Sequence, residues 1–315
     1  MARRGAQVEP SEQLDESLRA ALLAEIDGAL EESRRLASWE QAERRDAVHE
    51  LRRALKRFRA GASLCRGAVD AVAVRAVQEE VRATAQRLSA TRDRDVMIET
   101  IAGVVEIFPR PGRRSVHAIA IALLAPEKAT TAAADWQAAS ESVRLSLEAM
   151  RARMEAADLR AVAPDGIAQV IARRWRRARR AAAVTWDAQH LDALHQVRKE
   201  CQRLALQLHL LARLGPRRKM LRLSRDLGRV VSYIGEDRDL GLLEERLREH
   251  QREFPDPRQA EAMLLHVRSR RAKLLRAARR RALDVLDPKP RAIGKLVATG
   301  RGLRRAGRER RRRTS

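Results

Sequence analysis

The sequence predicts an all-α fold made of two related helical halves, and three observations carry that expectation. Ala, Leu, Arg and Glu dominate the 315 residues, while the 15 Gly and 10 Pro fall into a few clusters. No stretch alternates apolar and polar residues in the manner of a half-buried strand. One pattern also occurs twice, as VHELRRALKRFRAGASL near residue 49 and as LHQVRKECQRLALQLHLL near residue 195. After another helix, each copy leads to a short acidic sequence, TRDRDV with Asp93 and Asp95, then GEDRDL with Asp237 and Asp239. The separations from histidine to first aspartate, 44 and 42 residues, mark an internal repeat.

Apolar periodicity places helices at 11–37, 40–66, 68–89, 91–107, 115–124, 130–160, 165–183, 190–213, 216–234, 236–253 and 257–286. Ser11 and Asp165 stand where N-caps belong, and Pro216 and Pro257 fall near helix starts, where a missing N–H costs nothing. Pro109-Arg110-Pro111-Gly112 reads as a loop. The chain divides near Ala163-Pro164-Asp165-Gly166 into a first half, 1–163, and a second, 164–288. Residues 289–315 follow as an Arg-rich tail expected to be disordered.

Charge narrows the function. With 66 Lys and Arg against 42 Asp and Glu, the formal net charge is +24, of which the tail holds +10. A chain that is 44% hydrophobic can build a core, no run reaches the length of a membrane span, and the N-terminus turns acidic where a signal peptide needs its apolar stretch. A cytoplasmic address is expected. Such a basic chain points to a polyanionic partner: nucleic acid, an acidic membrane surface or a phosphate polymer. Of the basic residues 59 are Arg, the better phosphate fork, although an Ala- and Arg-heavy chain can also reflect codon usage. Two cysteines, Cys65 and Cys201, are too few for a disulfide scaffold or a zinc cage.

On a helix of 3.6 residues per turn, Arg45, His49, Arg52, Lys56 and Arg59 line one face, with Arg53 and Arg57 flanking it. The adjacent face carries Leu51, Leu55, Phe58, Ala62 and Cys65, a core stripe. In the second copy His195 and Arg198 repeat the spacing of His49 and Arg52, and Arg203 matches Arg57. Gln202 and Ala205 stand where Lys56 and Arg59 stand in the first. Its apolar stripe runs through Leu194, Val197, Cys201, Leu204, Leu208 and Leu211, so both cysteines are expected to be buried small hydrophobes.

These residues resemble the CHAD domain, a helical domain named for its histidines. The likeness rests on His49-x-x-Arg52-x-x-x-Lys56-Arg57-x-Arg59, on the weaker echo His195-x-x-Arg198 with Arg203, and on the Asp segment after each, and it covers most of residues 11–286. The resemblance implies a pseudo-twofold pair of four-helix bundles whose basic faces meet in a central groove that binds inorganic polyphosphate without catalysis. Expected groove residues are Arg45, His49, Arg52, Arg53, Lys56, Arg57 and Arg59 from one half and His195, Arg198, Lys199 and Arg203 from the other. The missing cations at 202 and 205 would make the groove asymmetric.

Elementary chemistry agrees with such a ligand. Polyphosphate carries about one charge per phosphate and no bases, so its receptor needs a track of cations and no stacking platforms. The chain has only eight aromatic residues, whereas binders of single-stranded nucleic acid stack bases on them for ~1–3 kcal/mol each. Further cations come from Arg173, Arg177 and Arg180 on one helix face and from Arg217, Arg218 and Lys219; each cluster reads equally as a solvated face. A histidine among arginines should lose its proton more readily and regain it beside bound phosphate, tightening binding as pH falls. Alternatively, His49 and His195 orient a neighbouring helix through hydrogen bonds, with the Asp93/Asp95 and Asp237/Asp239 segments as partners.

Enzyme readings rank lower. Aspartates two apart on a helix diverge, so Asp93, Asp95, Asp237 and Asp239 fit capping and ion pairing with Arg better than a metal site. The strand signature of the triphosphate-tunnel phosphatase domain that often accompanies CHAD domains is missing, as are a phosphate loop, HExxH and a dinucleotide-type turn, so no cofactor or metal is expected. The chain reads as a stand-alone module. Two further readings stay open: sequence-independent nucleic-acid or nucleoid binding driven by the tail, and a scaffold on polyphosphate granules that recruits other proteins.

Overall fold

A computed structural model describes residues 10–38, 40–65, 89–125, 133–159, 162–183, 186, 191–214 and 218–298, with scattered positions between 72 and 83. Among the described residues there are ten α-helices and no strand. In chain order they are α1 (Pro10–Arg35), α2 (Gln41–Ala62), α3 (Ser89–Val105), α4 (Arg110–Leu124), α5 (Ala133–Ala156), α6 (Pro164–Ala182), α7 (Leu191–Arg213), α8 (Arg218–His250), α9 (Pro257–Leu286) and α10 (Pro290–Ala298). The helix expected over 68–89 lies mostly outside the described residues.

Both predicted core stripes are buried. Leu51, Leu55, Phe58, Ala62 and Cys65 on one side, and Leu194, Val197, Cys201, Leu204, Leu208 and Leu211 on the other, are shut away from solvent in the same apolar core. Burial pushes both cysteine thiols up to about 12, well above the ordinary thiol range, which leaves them as packing groups.

There are two cores, and each takes helices from both sides of residue 163. The larger joins α1, α2 and α5 to α6, α7, α10, the first half of α8 and the last half of α9. The smaller joins α3 and α4 to the far ends of α8 and α9, through Leu240, Leu243, Leu247, Phe254, Met263 and Val267. The long α8–α9 hairpin therefore ties the two halves together. Its 33-residue helix α8 spans about 50 Å at 1.5 Å per residue, enough to serve both cores.

Four local expectations are corrected. The segment 216–253 is not two helices broken at 235, because α8 runs unbroken through Gly235 with buried Ile234, Asp237 and Leu240 holding both sides. Pro109 to Gly112 is not a loop: Pro109 is the N-cap of α4, whose first turn accepts Pro111 where an N–H would be unsatisfied anyway. Asp165 lies inside the first turn of α6 with Ala163 at the cap, and Ser11 follows Pro10 within α1. The basic tail begins later than residue 289, since Pro290–Ala298 forms α10 and buries Ile293 and Val297. Trp175 of α6 donates from Nε1 to the carbonyl of Pro288, 2.9 Å away, fixing the entry to α10.

Asp237 and Glu244 also differ from the capping role expected of the acidic segments. Both are buried in mid-helix and share Arg271 of α9, at 3.0 Å and 2.6 Å. Arg268 and Arg248 complete the cage around Glu244. A β-carbon at Gly241 would meet the Arg271 guanidinium at 3.3 Å, so the glycine makes room for it.

Candidate functional site

Helices α2 and α7 cross at a close contact. A β-carbon at Gly61 would stand 2.6 Å from Leu22 and 2.8 Å from Leu210, so only glycine allows α1, α2 and α7 to approach this closely. Gln207 of α7 donates from Nε2 to the Ser63 Oγ at 2.7 Å and the Ala60 carbonyl at 3.3 Å, locking the crossing with buried polar bonds.

Beside the crossing opens a cavity of about 220 Å³ between α2, α6 and α7. Its charged lining is Lys56 and Arg59 from α2, Arg174 and Arg177 from α6, and Arg203 from α7; no carboxylate lines it. Burial, followed by the Arg82 and Arg174 charges, lowers the Arg59 pKa below its ordinary value. Arg203 is lowered likewise by burial and by Arg174, with Arg59 and Arg177 adding to the effect and Glu200 opposing it. Like charges have been forced together and partly dehydrated, an arrangement that a bound polyanion would relieve.

One buried carboxylate stands behind this wall. Glu200, 3% exposed, lies 3.2 Å from Arg174 and 3.6 Å from Arg203, and its Oε1 accepts from the Gln196 amide at 3.3 Å. It aims two guanidinium groups without filling the cavity.

The remaining stripe divides. His49 and Arg59 are exposed and Arg52 is half-buried, as a solvent-facing stripe should be. Arg45 donates to Asp95 of α3 at 2.9 Å, and that hydrogen bond raises its pKa further. Arg53 pairs with Glu50 one turn back on an exposed surface. Arg57 turns to Glu25 of α1 at 2.6 Å, with Arg213 near the same carboxylate, so the flank expected to widen the stripe on that side instead joins two helices.

From the second half, Arg198 lines a neighbouring cavity of about 450 Å³ bounded by α3, α7, α8 and α9. A β-carbon at Gly235 would approach its Nη2 to 3.2 Å, so the glycine that fails to break α8 instead makes room for this guanidinium. His195 and Lys199 are exposed on α7, and Arg218 and Lys219 are exposed at the start of α8; Arg217 lies outside the described residues, as does the side chain of Asp93. Arg173 and Arg180 face solvent on α6 and do not line the cavity.

Sequence reasoning missed Arg174, half-buried beside the core residues Ile171, Trp175 and Ala178. The signal was present: residue 174 pairs with 177 at i,i+3, on the border of the apolar stripe instead of the middle of the polar face. Ala205 has a structural reason. It is buried and its carbonyl accepts from Ser224 of α8 at 2.8 Å, so an arginine there would collide with a helix contact. Gln202 does line the cavity, as a neutral member of a cationic wall.

Among the described residues, no group of three or more His, Cys, Asp or Glu could hold a metal ion, and no helix is long and apolar enough to cross a membrane. A family model for the CHAD domain matches residues 20–248. A crystal structure of the CHAD domain from the plant Ricinus communis is similar with a TM-score of 0.51 at 17% identity, over 90% of this chain and 91% of that one, a likeness of fold. Comparison with curated proteins gives no match.

Proposed function

The chain belongs to the CHAD domain family, and we propose that it binds inorganic polyphosphate, without catalysis, in the cationic groove between α2, α6 and α7. The observation that carries this is the convergence of Lys56, Arg59, Arg174, Arg177 and Arg203 on one cavity with no carboxylate in its lining. A flexible polyanion supplies the missing charge, and guanidinium forks can each take two of its oxygens. Among the described residues neither cavity is lined by an aromatic side chain, which supports a ligand without bases over single-stranded nucleic acid. Attachment to polyphosphate granules in the cytoplasm follows from the same ligand. Proteins associated with such granules would then be its neighbours. The Arg-rich end supports a second activity, salt-dependent association with nucleic acid outside the groove.

Titration of labelled polyphosphate against Arg59→Ala and Arg203→Ala tests the groove. Each loss should cost ~1.5–3 kcal/mol, as expected for a charged hydrogen-bonded contact. Each should also reduce the slope of log affinity against log salt by about 0.7, the value for a single-stranded polyanion. Arg53→Ala, paired with Glu50 on an outer surface, should change affinity little. Equal effects from all three variants would contradict the assignment.

A further inference from the structure

The two cavities carry opposite charge balances. Three positions along α7 set their order: Gln207 at the crossing with α2, Arg203 in the cationic cavity, and Arg198 in the larger one. Adjacent members lie four or five residues apart, about one helical turn. The first cavity has five cations and no carboxylate. The second has Glu99, Glu236 and Asp239 against Arg198 and Arg270, and Arg270 is already hydrogen-bonded to Glu236 at 2.8 Å. A phosphate chain stabilised in the first meets like charge one turn beyond Arg198. The opposite direction is blocked by the α2–α7 contact at Gly61 and Gln207. The way left leads past Arg177 to the exposed face of α6, where Arg173, Arg176 and Arg180 continue the positive surface.

Building on the reading of this groove as a polyphosphate site, we propose that it holds the end of a polyphosphate chain and not a stretch of its interior. An end differs from the interior chemically. By analogy with a phosphate monoester, the terminal unit has three free oxygens and close to two charges at neutral pH, against about one for an interior unit. Arg198, at the border between the cavities with its space guaranteed by Gly235, is the last cation available to that terminal group. Glu99, Glu236 and Asp239 act as the stop.

Counting copies per chain is the test. The full-length protein, in excess, is mixed with linear polyphosphate of two long, narrow length classes, and the mass of each complex is measured by sedimentation at a salt concentration that suppresses loose association. End binding predicts the same ceiling for both classes, one copy at each terminus. Linear tripolyphosphate should displace a labelled chain, while cyclic trimetaphosphate, which has no ends, should not. Glu99→Gln, an exposed substitution that leaves the core untouched, should relax the stop and raise the number of copies on the longer class. Copy number growing in proportion to length in the unaltered protein, or equal competition by the cyclic compound, would overturn end binding while leaving the polyphosphate reading intact. Absence of any polyphosphate binding would remove both.

Discussion

A β-carbon placed on Gly235 would stand 3.2 Å from Nη2 of Arg198. The glycine sits in the middle of a 33-residue helix, where it costs up to about 1 kcal/mol relative to alanine. Space for a guanidinium at the groove is what it provides in exchange. Gly235→Ala should therefore raise the melting temperature, because the far end of Arg198 can shift by a few tenths of an ångström, while lowering polyphosphate affinity. Thermal unfolding and titration of the same variant check the opposed signs, and a loss of both stability and affinity would contradict this role.

Glu200 is the internal counter-charge of the cationic wall. Glu200→Gln should weaken the fold by ~1.5–3 kcal/mol through lost charged hydrogen bonds to Arg174 and Arg203. Removing the negative charge should at the same time tighten anion binding at low salt. A variant that lost affinity along with stability would make Glu200 an essential aiming group whose charge is secondary. Denaturant titration paired with ligand titration separates the two.

The ion cage on the α8–α9 hairpin should dominate stability without touching the ligand. Arg271→Ala leaves Asp237 and Glu244 buried without their shared cation, a change expected to cost about 3–5 kcal/mol. A drop in melting temperature with salt-dependent polyphosphate binding retained below the transition is the expected result.

Acid should reveal Glu244 specifically. Burial works to raise its pKa, but the hydrogen bonds from Arg268 and Arg271 and the charge of Arg248 override burial and hold the carboxyl below its usual value of 4.5. A group depressed in this way contributes stability that is fully present above pH 4.5 and is lost as pH falls through the lower, folded-state value. The stability difference between the protein and Glu244→Gln should accordingly be largest above pH 4.5 and shrink on further acidification.

Much of this was legible in the sequence, and the failures have physical causes. The stripes on α2 and α7 were readable because a helix that faces both a core and solvent writes its period directly into the chain. Arg57 was misplaced because spacing gives a direction and not a partner: Glu25, 32 residues earlier, decides where it points. Ala205 looked like a lost phosphate contact, yet α8 packs against it, a tertiary fact that periodicity does not contain. Arg174 hid on the border of an apolar stripe, where a half-buried arginine resembles either face. Composition concealed α10, because its buried Ile293 and Val297 sit among the cations of a tail.

That helix makes truncation informative. Ending the chain after residue 298 should leave stability unchanged, since α10 is retained. Ending it after residue 288 should destabilise the protein by several kcal/mol, with two buried aliphatic side chains lost at about 1.5–3 kcal/mol each. Melting curves of the two forms distinguish a packed helix from a dispensable tail.

The most direct test of the account is a competition titration on the chain ended after residue 298, with labelled long-chain polyphosphate against single-stranded DNA and RNA matched in phosphate number, at two salt concentrations. The account predicts a preference for polyphosphate of about tenfold or more, 1.4 kcal/mol, lost when Arg52, Lys56 and Arg59 are all changed to Ala. Equal affinity for the three polymers, or no binding once the basic end is gone, would contradict it and place the activity in the tail.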